Sequence, residues 1–552
     1  MSRLRTRGLR LPRIAAAAAA VALTVGLAGA PGAPAADPLP YENATLPTQQ
    51  RVADLLARMT LAEKVGQMTQ AERGDVYADA TPITDLGYGS VLSGGGSTPT
   101  ENTPKAWADM IDRFQEAALK TRLHIPLLYG IDAVHGNGNV LGSTIFPHNI
   151  GLGATRDPAI VRDAAHVTAI ETRAVGPQWT FAPCLCAARD DRWGRTYESF
   201  GEDPNLVIQM ETAIDGFQGA PGQLGNSDRV LATAKHYAGD GDTQYGTASG
   251  DYKIDQGVSI TSHEDFWNTS LKQYVPAVQQ HHVGSVMPSF SSVDWTEDGV
   301  GNPLKMHAHK ELITDVLKGQ MGFDGFVISD WKGIHQIPGD FATQVRTGVN
   351  AGIDMFMESE GAAPQFVATL IDEVNAGRVS MARIDDAVSR ILAKKFELGL
   401  FEHPLTDRTN QSSIGSPAHR AVARKAVAES QVLLKNASGA LPLKASSKVY
   451  VAGSNADNIG NQAGGWTLTW QGGSTNKVPG TTILQGIRNA AKSGRVTFSE
   501  NASKPIGPSD VGVVVVGETP YAEGFGDVGG PRWAYDPGDN NVPRPVKDMQ
   551  FS

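Results

Sequence analysis

From about residue 44 to 400 the chain alternates short apolar runs with longer stretches in which apolar residues recur at helical spacing. The runs are GSVLSG (89–94), IPLLYGID (125–132), QWTFAPC (178–184), VLATAKHY (230–237), VGSVMPSF (283–290), GFVISDW (325–331) and AGIDMFME (351–358). Between them lie segments such as TPKAWADMIDRFQEAALKT (103–121), where i, i+3, i+4 spacing predicts an amphipathic helix. Repeated βα units over more than ~250 residues predict an α/β fold with a parallel (β/α)8-type barrel. Seven strands are visible, one short of closure. Several end in charge, at Asp132, Lys235 with His236, Asp330 and Glu358. A carboxylate at the end of an apolar strand is poorly placed for stability, but catalytic groups of such barrels gather at C-terminal strand ends.

The pattern changes at FEHPLTDRTNQSSIGSPAHR (401–420), a polar stretch with Pro and Gly that reads as a linker. Beyond it come a helical pattern (AVARKAVAESQVLLK), a strand (KVYVAGS, 448–454), a Gly/Trp loop (GNQAGGWTLTWQGG, 460–473), a helix near 482–492 and a strand (VGVVVVGE, 511–518). This predicts a second α/β unit over 421–552. At about 130 residues past the linker it is small for a domain and reads as C-terminally incomplete. VAGSNADNIG lacks the glycine spacing of a dinucleotide loop, so no cofactor is expected.

Residues 1–36 stand apart. Arg3, Arg5, Arg7, Arg10 and Arg13 precede the apolar run 14–30, and small residues then offer cleavage after Ala35 or Ala36. This is a secretory signal pattern, which places the mature barrel unit at 37–400 and predicts a secreted, extracellular protein. Losing those arginines takes the formal charge from −10 to −15. Such a surface repels nucleic acid and anionic membranes and suits a neutral substrate. The two cysteines, Cys184 and Cys186, are spaced awkwardly for a mutual disulfide and fall far short of a zinc site, so no metal is expected.

Paired carboxylates carry the candidate chemistry. Retaining glycoside hydrolysis needs an ionised acid as nucleophile and a protonated one as donor, ~5–5.5 Å apart. Asp330, between Ser329 and Trp331, fits the first role, and Glu523 in YAEGFGD (521–527) fits the second. Glu518, five residues upstream, is the main rival to Glu523. Trp466 and Trp470 offer flat apolar faces of the kind that stack on sugar rings.

The motifs YGIDAVHGNGNVLGSTIFPHNIGLGATRD (129–157), FAPCLCAARDDRWGRTYESFGEDP (181–204), AKHYAGDG (234–241), GFVISDW, GGWTLTWQG (464–472) and VGETPYAEGFGD (516–527) occur in series. In this the chain resembles glycoside hydrolase family 3, the secreted bacterial β-glucosidase and exo-β-glucan glucohydrolase branch. The resemblance implies a barrel joined to an (α/β)6 sandwich, with the active site between them. It implies Asp330 as nucleophile and Glu523 as acid/base. Asp132, Arg195, Lys235 and His236 would hold the terminal glucosyl unit, and Trp331 and Trp470 would sandwich the next sugar, with Trp466 close by. Arg195 and Lys235 are also expected to lower the pKa of Asp330. Asp190, Asp191 and Arg192 read as a solvated charge cluster, and Glu198 as a group positioning Arg195.

The chain departs from the family pattern at Ser249, Phe290 and Gln336, where a glutamate, a tyrosine and a basic residue are common. Those departures bear on leaving-group preference. The implied activity is exo-acting β-glucosidase, acting on β-linked glucose oligosaccharides or glucans with no cofactor; the oligomeric state is left open. A β-xylosidase of the same fold or an inactive carbohydrate-binding fragment are the alternatives. An N-acetylglucosaminidase is disfavoured by Asp240, where that branch carries a histidine.

Overall fold

The computed structural model describes residues 39–250, 252–491, 495–528, 535–536 and 542–543. The expected signal segment lies outside them. Eight parallel strands organise the first part: β1 (Thr69–Glu72), β2 (Ser90–Ser93), β3 (Leu128–Ile131), β4 (Trp179–Thr180), β5 (Thr233–Tyr237), β6 (Ser285–Pro288), β7 (Phe326–Val327) and β8 (Phe356–Glu358). They form two sheets, ordered β8-β1-β2-β3-β4 and β7-β6-β5. Isolated parallel bridges, Trp179 to Leu231 and Cys184 to Lys235 at one edge and Ile328 to Met355 at the other, join the sheets.

Seven of these strands fall in the apolar runs, and β1 was not among those expected. Its sequence is TQAE, with no apolar run to announce it. Gln70 is fully buried, and its side-chain N–H donates to Ser90 Oγ at 2.7 Å, which offsets part of the cost of burying the amide. The same interior holds Trp179, whose indole N–H faces Thr233 Oγ1 at 2.7 Å and Ser285 Oγ at 2.9 Å. Phe181 and Phe326 pack edge-on against its ring at 4.9 and 5.1 Å. Truncating a buried tryptophan of this kind costs about 3–5 kcal/mol.

Helices follow the strands as the periodicity requires. The segment predicted over 103–121 is helical over Pro104–Ala118, with Thr103 capping the N–H of Ala106 and Pro at the first turn, where its missing N–H costs nothing. Its buried stripe includes Trp107, Ile111 and Phe114. Between β5 and β6 the chain begins a small added sheet, which pairs Val258–Thr261, Ser292–Trp295 and Leu304–Lys305 at the mouth of the strands.

A helix begins inside the expected linker, at Pro417, capped by Ser416, and ends at Glu429. It stops short of the VLL that was read as its continuation. The Ser430 hydroxyl and the Gln431 amide both donate to Val427 O, which takes up a carbonyl of the last turn. Three further strands, β9 (Val449–Ala452), β10 (Val496–Phe498) and β11 (Val511–Val514), then pair in parallel in the order β10-β9-β11. Val449, Val451 and Leu484 form their small core. Among the described residues no helix is long and apolar enough to cross a membrane.

Cys184 and Cys186 are joined as a disulfide, against the expectation from their spacing. Their Cα atoms are 5.5 Å apart, within the ordinary disulfide range. Both are buried, as expected.

Candidate active site

A cavity of about 490 Å³ opens at the C-terminal ends of the strands. Asp132, Arg195, Lys235, His236, Asp330, Trp331, Trp466, Trp470 and Glu523 all line it, so every predicted site residue is brought to one place. Its size suits a small ligand, for which ~300–1,000 Å³ is usual. Glu358 is the exception among the charged strand ends. It is buried and paired with His335 Nε2 at 2.7 Å, outside the cavity wall.

Asp330 lies just beyond β7, where the backbone still pairs: Ser329 N–H reaches Met355 O at 2.9 Å. Its own N–H donates to His307 Nε2 at 3.0 Å, and Trp331 N–H donates to its Oδ1 at 2.6 Å. Its Oδ2 is buried, has no hydrogen-bond partner, and lies 3.6 Å from His236 Nε2. Burial pushes this carboxyl up to about 7; Arg195 and Lys235 pull it down, and Glu523 adds to the rise. The cations act in the expected direction. The net shift is nonetheless upward, because loss of solvent outweighs them.

Glu523 comes from the second segment, in a short turn (Glu523–Gly526) with φ +56° at Glu523 itself. Its Oε1 accepts the Trp470 indole N–H at 3.1 Å and sits 3.7 Å from Arg195 Nη1. Burial raises its pKa, against the pull of Arg195. The rival Glu518 is exposed and bound by the Tyr521 hydroxyl at 2.6 Å, away from the cavity wall.

The cationic side is equally organised. Arg195 forms a two-point pair with Glu198, at 2.9 and 3.1 Å, and its Nη2 lies 3.2 Å from His236 Nε2. Burial pushes Glu198 up, but Arg195 overcomes that and holds it below its ordinary value. Glu198 also accepts the Trp466 indole N–H at 3.2 Å, tying the second segment to the guanidinium. Lys235 Nζ stands 3.7 Å from Asp132 Oδ1, and burial raises Asp132 to about 6 despite that lysine. His236 Nδ1 faces Asp240 Oδ2 at 2.9 Å. Burial and the Arg195 charge bring His236 down to about 4, so it is a neutral imidazole at neutral pH.

The aromatic walls rest on backbone with no side chain between. Gly95 passes so close that a Cβ there would lie 2.8 Å from Trp470 Cα and 3.0 Å from the Trp466 ring. Trp331 covers Gly94 in the same way, with a Cβ there at 3.2 Å from its ring.

Phe290 and Gln336 line the cavity as well, while Ser249 is exposed and does not. Gln336 is held by Lys305 Nζ at 2.8 Å and by Gln256 Oε1 at 2.9 Å, so a basic group sits one residue behind the amide. Tyr252 and Gln256, also in the wall, went unrecognised in the sequence. His307 went unrecognised too, since the two histidines of KMHAHKE match no ligand or catalytic spacing. Asp190 and Arg192 pair with each other at 2.6 Å, and the Arg192 guanidinium lies 4.1 Å from the Tyr245 ring centre. That is a surface cluster, as expected.

The profile described as the glycosyl hydrolase family 3 N terminal domain matches residues 60–393. The chain belongs to glycosyl hydrolase family 3. The family's C-terminal domain profile matches residues 431–544. Among family 3 proteins, the lysosomal beta glucosidase of Dictyostelium discoideum is 32% identical over 529 residues, covering 86% of this chain and 62% of that protein. The periplasmic beta-glucosidase/beta-xylosidase of Dickeya chrysanthemi is 30% identical over 468 residues, covering 75% and 68%. The crystal structure of the exo-1,3/1,4-beta-glucanase from a Pseudoalteromonas species superposes with a TM-score of 0.79 at 39% identity, covering 87% of this chain and 60% of that one. The chain thus spans about three fifths of the first and third of these family 3 relatives.

Proposed function

We propose that this family 3 chain is a secreted, retaining, exo-acting β-glucosidase that removes terminal β-D-glucosyl units from oligosaccharides or glucans. The observation that carries the reading is the meeting of Asp330 and Glu523, from two separate segments, on one cavity with Arg195 against Glu523.

In the first step the ionised Asp330 carboxylate attacks the anomeric carbon. The glycosidic C–O bond breaks as Glu523 gives its proton to the leaving oxygen. A glycosyl ester on Asp330 results, and Glu523, now a carboxylate, takes a proton from water as that water attacks the same carbon. The product keeps the β configuration and both carboxyls return to their starting states. Asp132, Arg195, Lys235 and His236 hold the glucosyl hydroxyls. The unpartnered Oδ2 of Asp330 is the oxygen left free for the reaction. Trp331 and Trp470 flank the sugar beyond the scissile bond, with Trp466 beside the first one.

The architecture belongs to the same reading: a signal peptide over 1–36, a (β/α)8-like barrel over 37–400, a linker over 401–420 and an (α/β)6 sandwich domain from 421 onward. The isolated parallel bridges at both edges of the two sheets support an eight-stranded ring. The cavity then opens where family 3 places its site, between the two domains. A second reading, β-xylosidase, is favoured by the Dickeya relative named for both activities.

Trapping with a 2-fluoro-2-deoxyglucoside and peptide mass spectrometry test the assignment, with the label expected on the peptide holding Asp330. A label elsewhere overturns it. Turnover of p-nitrophenyl β-D-glucoside against the xyloside separates the two readings, and turnover of neither leaves the inactive binding fragment.

A further inference from the structure

Glu523 has no strand or helix behind it, and its backbone takes a left-handed conformation in a four-residue turn. Something must hold it against the barrel. The candidate is four residues on. Asp527 Oδ1 accepts the N–H of Gly194 at 2.9 Å, and its Oδ2 accepts those of Lys253, Ile254 and Asp255 at 2.9, 2.9 and 3.0 Å. One carboxylate therefore ends four backbone donors from two loops of the barrel part, over 270 residues away in the chain. Its neighbour Val528 donates its own N–H to Arg192 O at 3.0 Å, fixing the turn from the other side.

The fit beneath is close. A Cβ at position 194 would lie 2.0 Å from Glu523 O, so only glycine admits the acid's backbone there. A Cβ at Gly524 would lie 2.4 Å from the Tyr252 ring, whose loop supplies three of the four donors. Gly194 immediately precedes Arg195, the cation 3.7 Å from Glu523. The loop that binds Asp527 thus also presents the guanidinium that faces the acid.

Hydrogen bonds to an ionised acceptor are short and roughly twice as strong as neutral ones, and four on one carboxylate define both position and rotation. Resting on the proposed donor role of Glu523, we infer that Asp527 is its positioning residue: a carboxylate clamp that docks the acid-bearing turn onto the barrel. It touches no substrate. Its effect passes through where the Glu523 proton sits relative to the leaving oxygen.

The test separates positioning from stability by leaving group. A proton donor matters for a poor leaving group and little for one that departs as a stable anion. Compare wild type, D527A, D527N and E523Q on a β-linked glucose disaccharide and on 2,4-dinitrophenyl β-D-glucoside. For D527A, kcat/KM is expected to fall about 100-fold on the disaccharide and under about 10-fold on the dinitrophenyl substrate, the split that E523Q also shows. Azide should restore part of the D527A rate on the activated substrate and yield β-glucosyl azide. D527N keeps an acceptor oxygen and should fall between; if D527A does not fold, D527N is judged by the same ratio. Equal loss on both substrates, or no loss, overturns the clamp while leaving the glucosidase reading intact. A wild type that turns over no glycoside overturns that reading, and the clamp with it.

Discussion

Trp470 donates its indole N–H to Glu523 Oε1 at 3.1 Å, so an aromatic wall of the cavity also holds the proposed acid. The bond favours the ionised carboxylate and pulls its pKa down against burial. Trp470→Phe keeps an aromatic face and loses the donor. Glu523 should then hold its proton to higher pH, moving the alkaline limb of the kcat profile upward. A limb that stays put or moves down would show that the indole does not act on this carboxyl.

Asp330 and Glu523 share the cavity, and the Glu523 charge strengthens Asp330's hold on its proton. Burial and the Glu523 charge leave Asp330 at about 7 despite Arg195 and Lys235. Attack needs the ionised form, so kcat/KM should rise with pH as Asp330 ionises. Glu523→Gln removes the negative neighbour, so on an activated substrate the acid limb should shift to lower pH. An unmoved limb would locate that ionisation elsewhere.

Asp330→Asn leaves shape and removes the charge that attacks. Turnover should drop by at least about a thousandfold, in line with removal of a covalent nucleophile, while glucose binding measured by calorimetry stays within a few-fold. Near-normal turnover would remove Asp330 from the mechanism.

Glu211 lies fully buried between two helices, and neither of its oxygens has a partner. Burial raises it from 4.5 to about 9, with the Asp215 charge adding to the rise. A carboxyl raised in the fold contributes stability below its unfolded value, and that contribution is lost as pH rises toward the folded value. Glu211→Gln should therefore gain on wild type in thermal melting as pH goes from 5 to 9. A difference in melting temperature that is flat across that range would contradict the assignment.

Much of the site was legible because its chemistry sits at strand ends, and apolar runs announce strands. Asp132, His236 and Asp330 lie at or next to the ends of such runs and reach the cavity, whereas Glu358, at another strand end, is buried against His335 instead. The strand Thr69–Glu72 was hidden for the converse reason: a polar residue, Gln70, fills a fully buried position and donates to Ser90, so burial left no apolar signature. His307 and Asp527 were hidden because what they bind is backbone, which every residue has.

The order of elements, the family motifs and the identity of the charged strand ends follow from the sequence by itself, since side-chain periodicity and local spacing are properties of the chain. The placing of Glu523, and not Glu518, on the cavity wall, the raised proton affinity of Asp330, the Cys184–Cys186 disulfide and the four-donor seat of Asp527 are visible only in the tertiary structure. Each depends on distance and exclusion of water between segments far apart in sequence, and no local pattern encodes either.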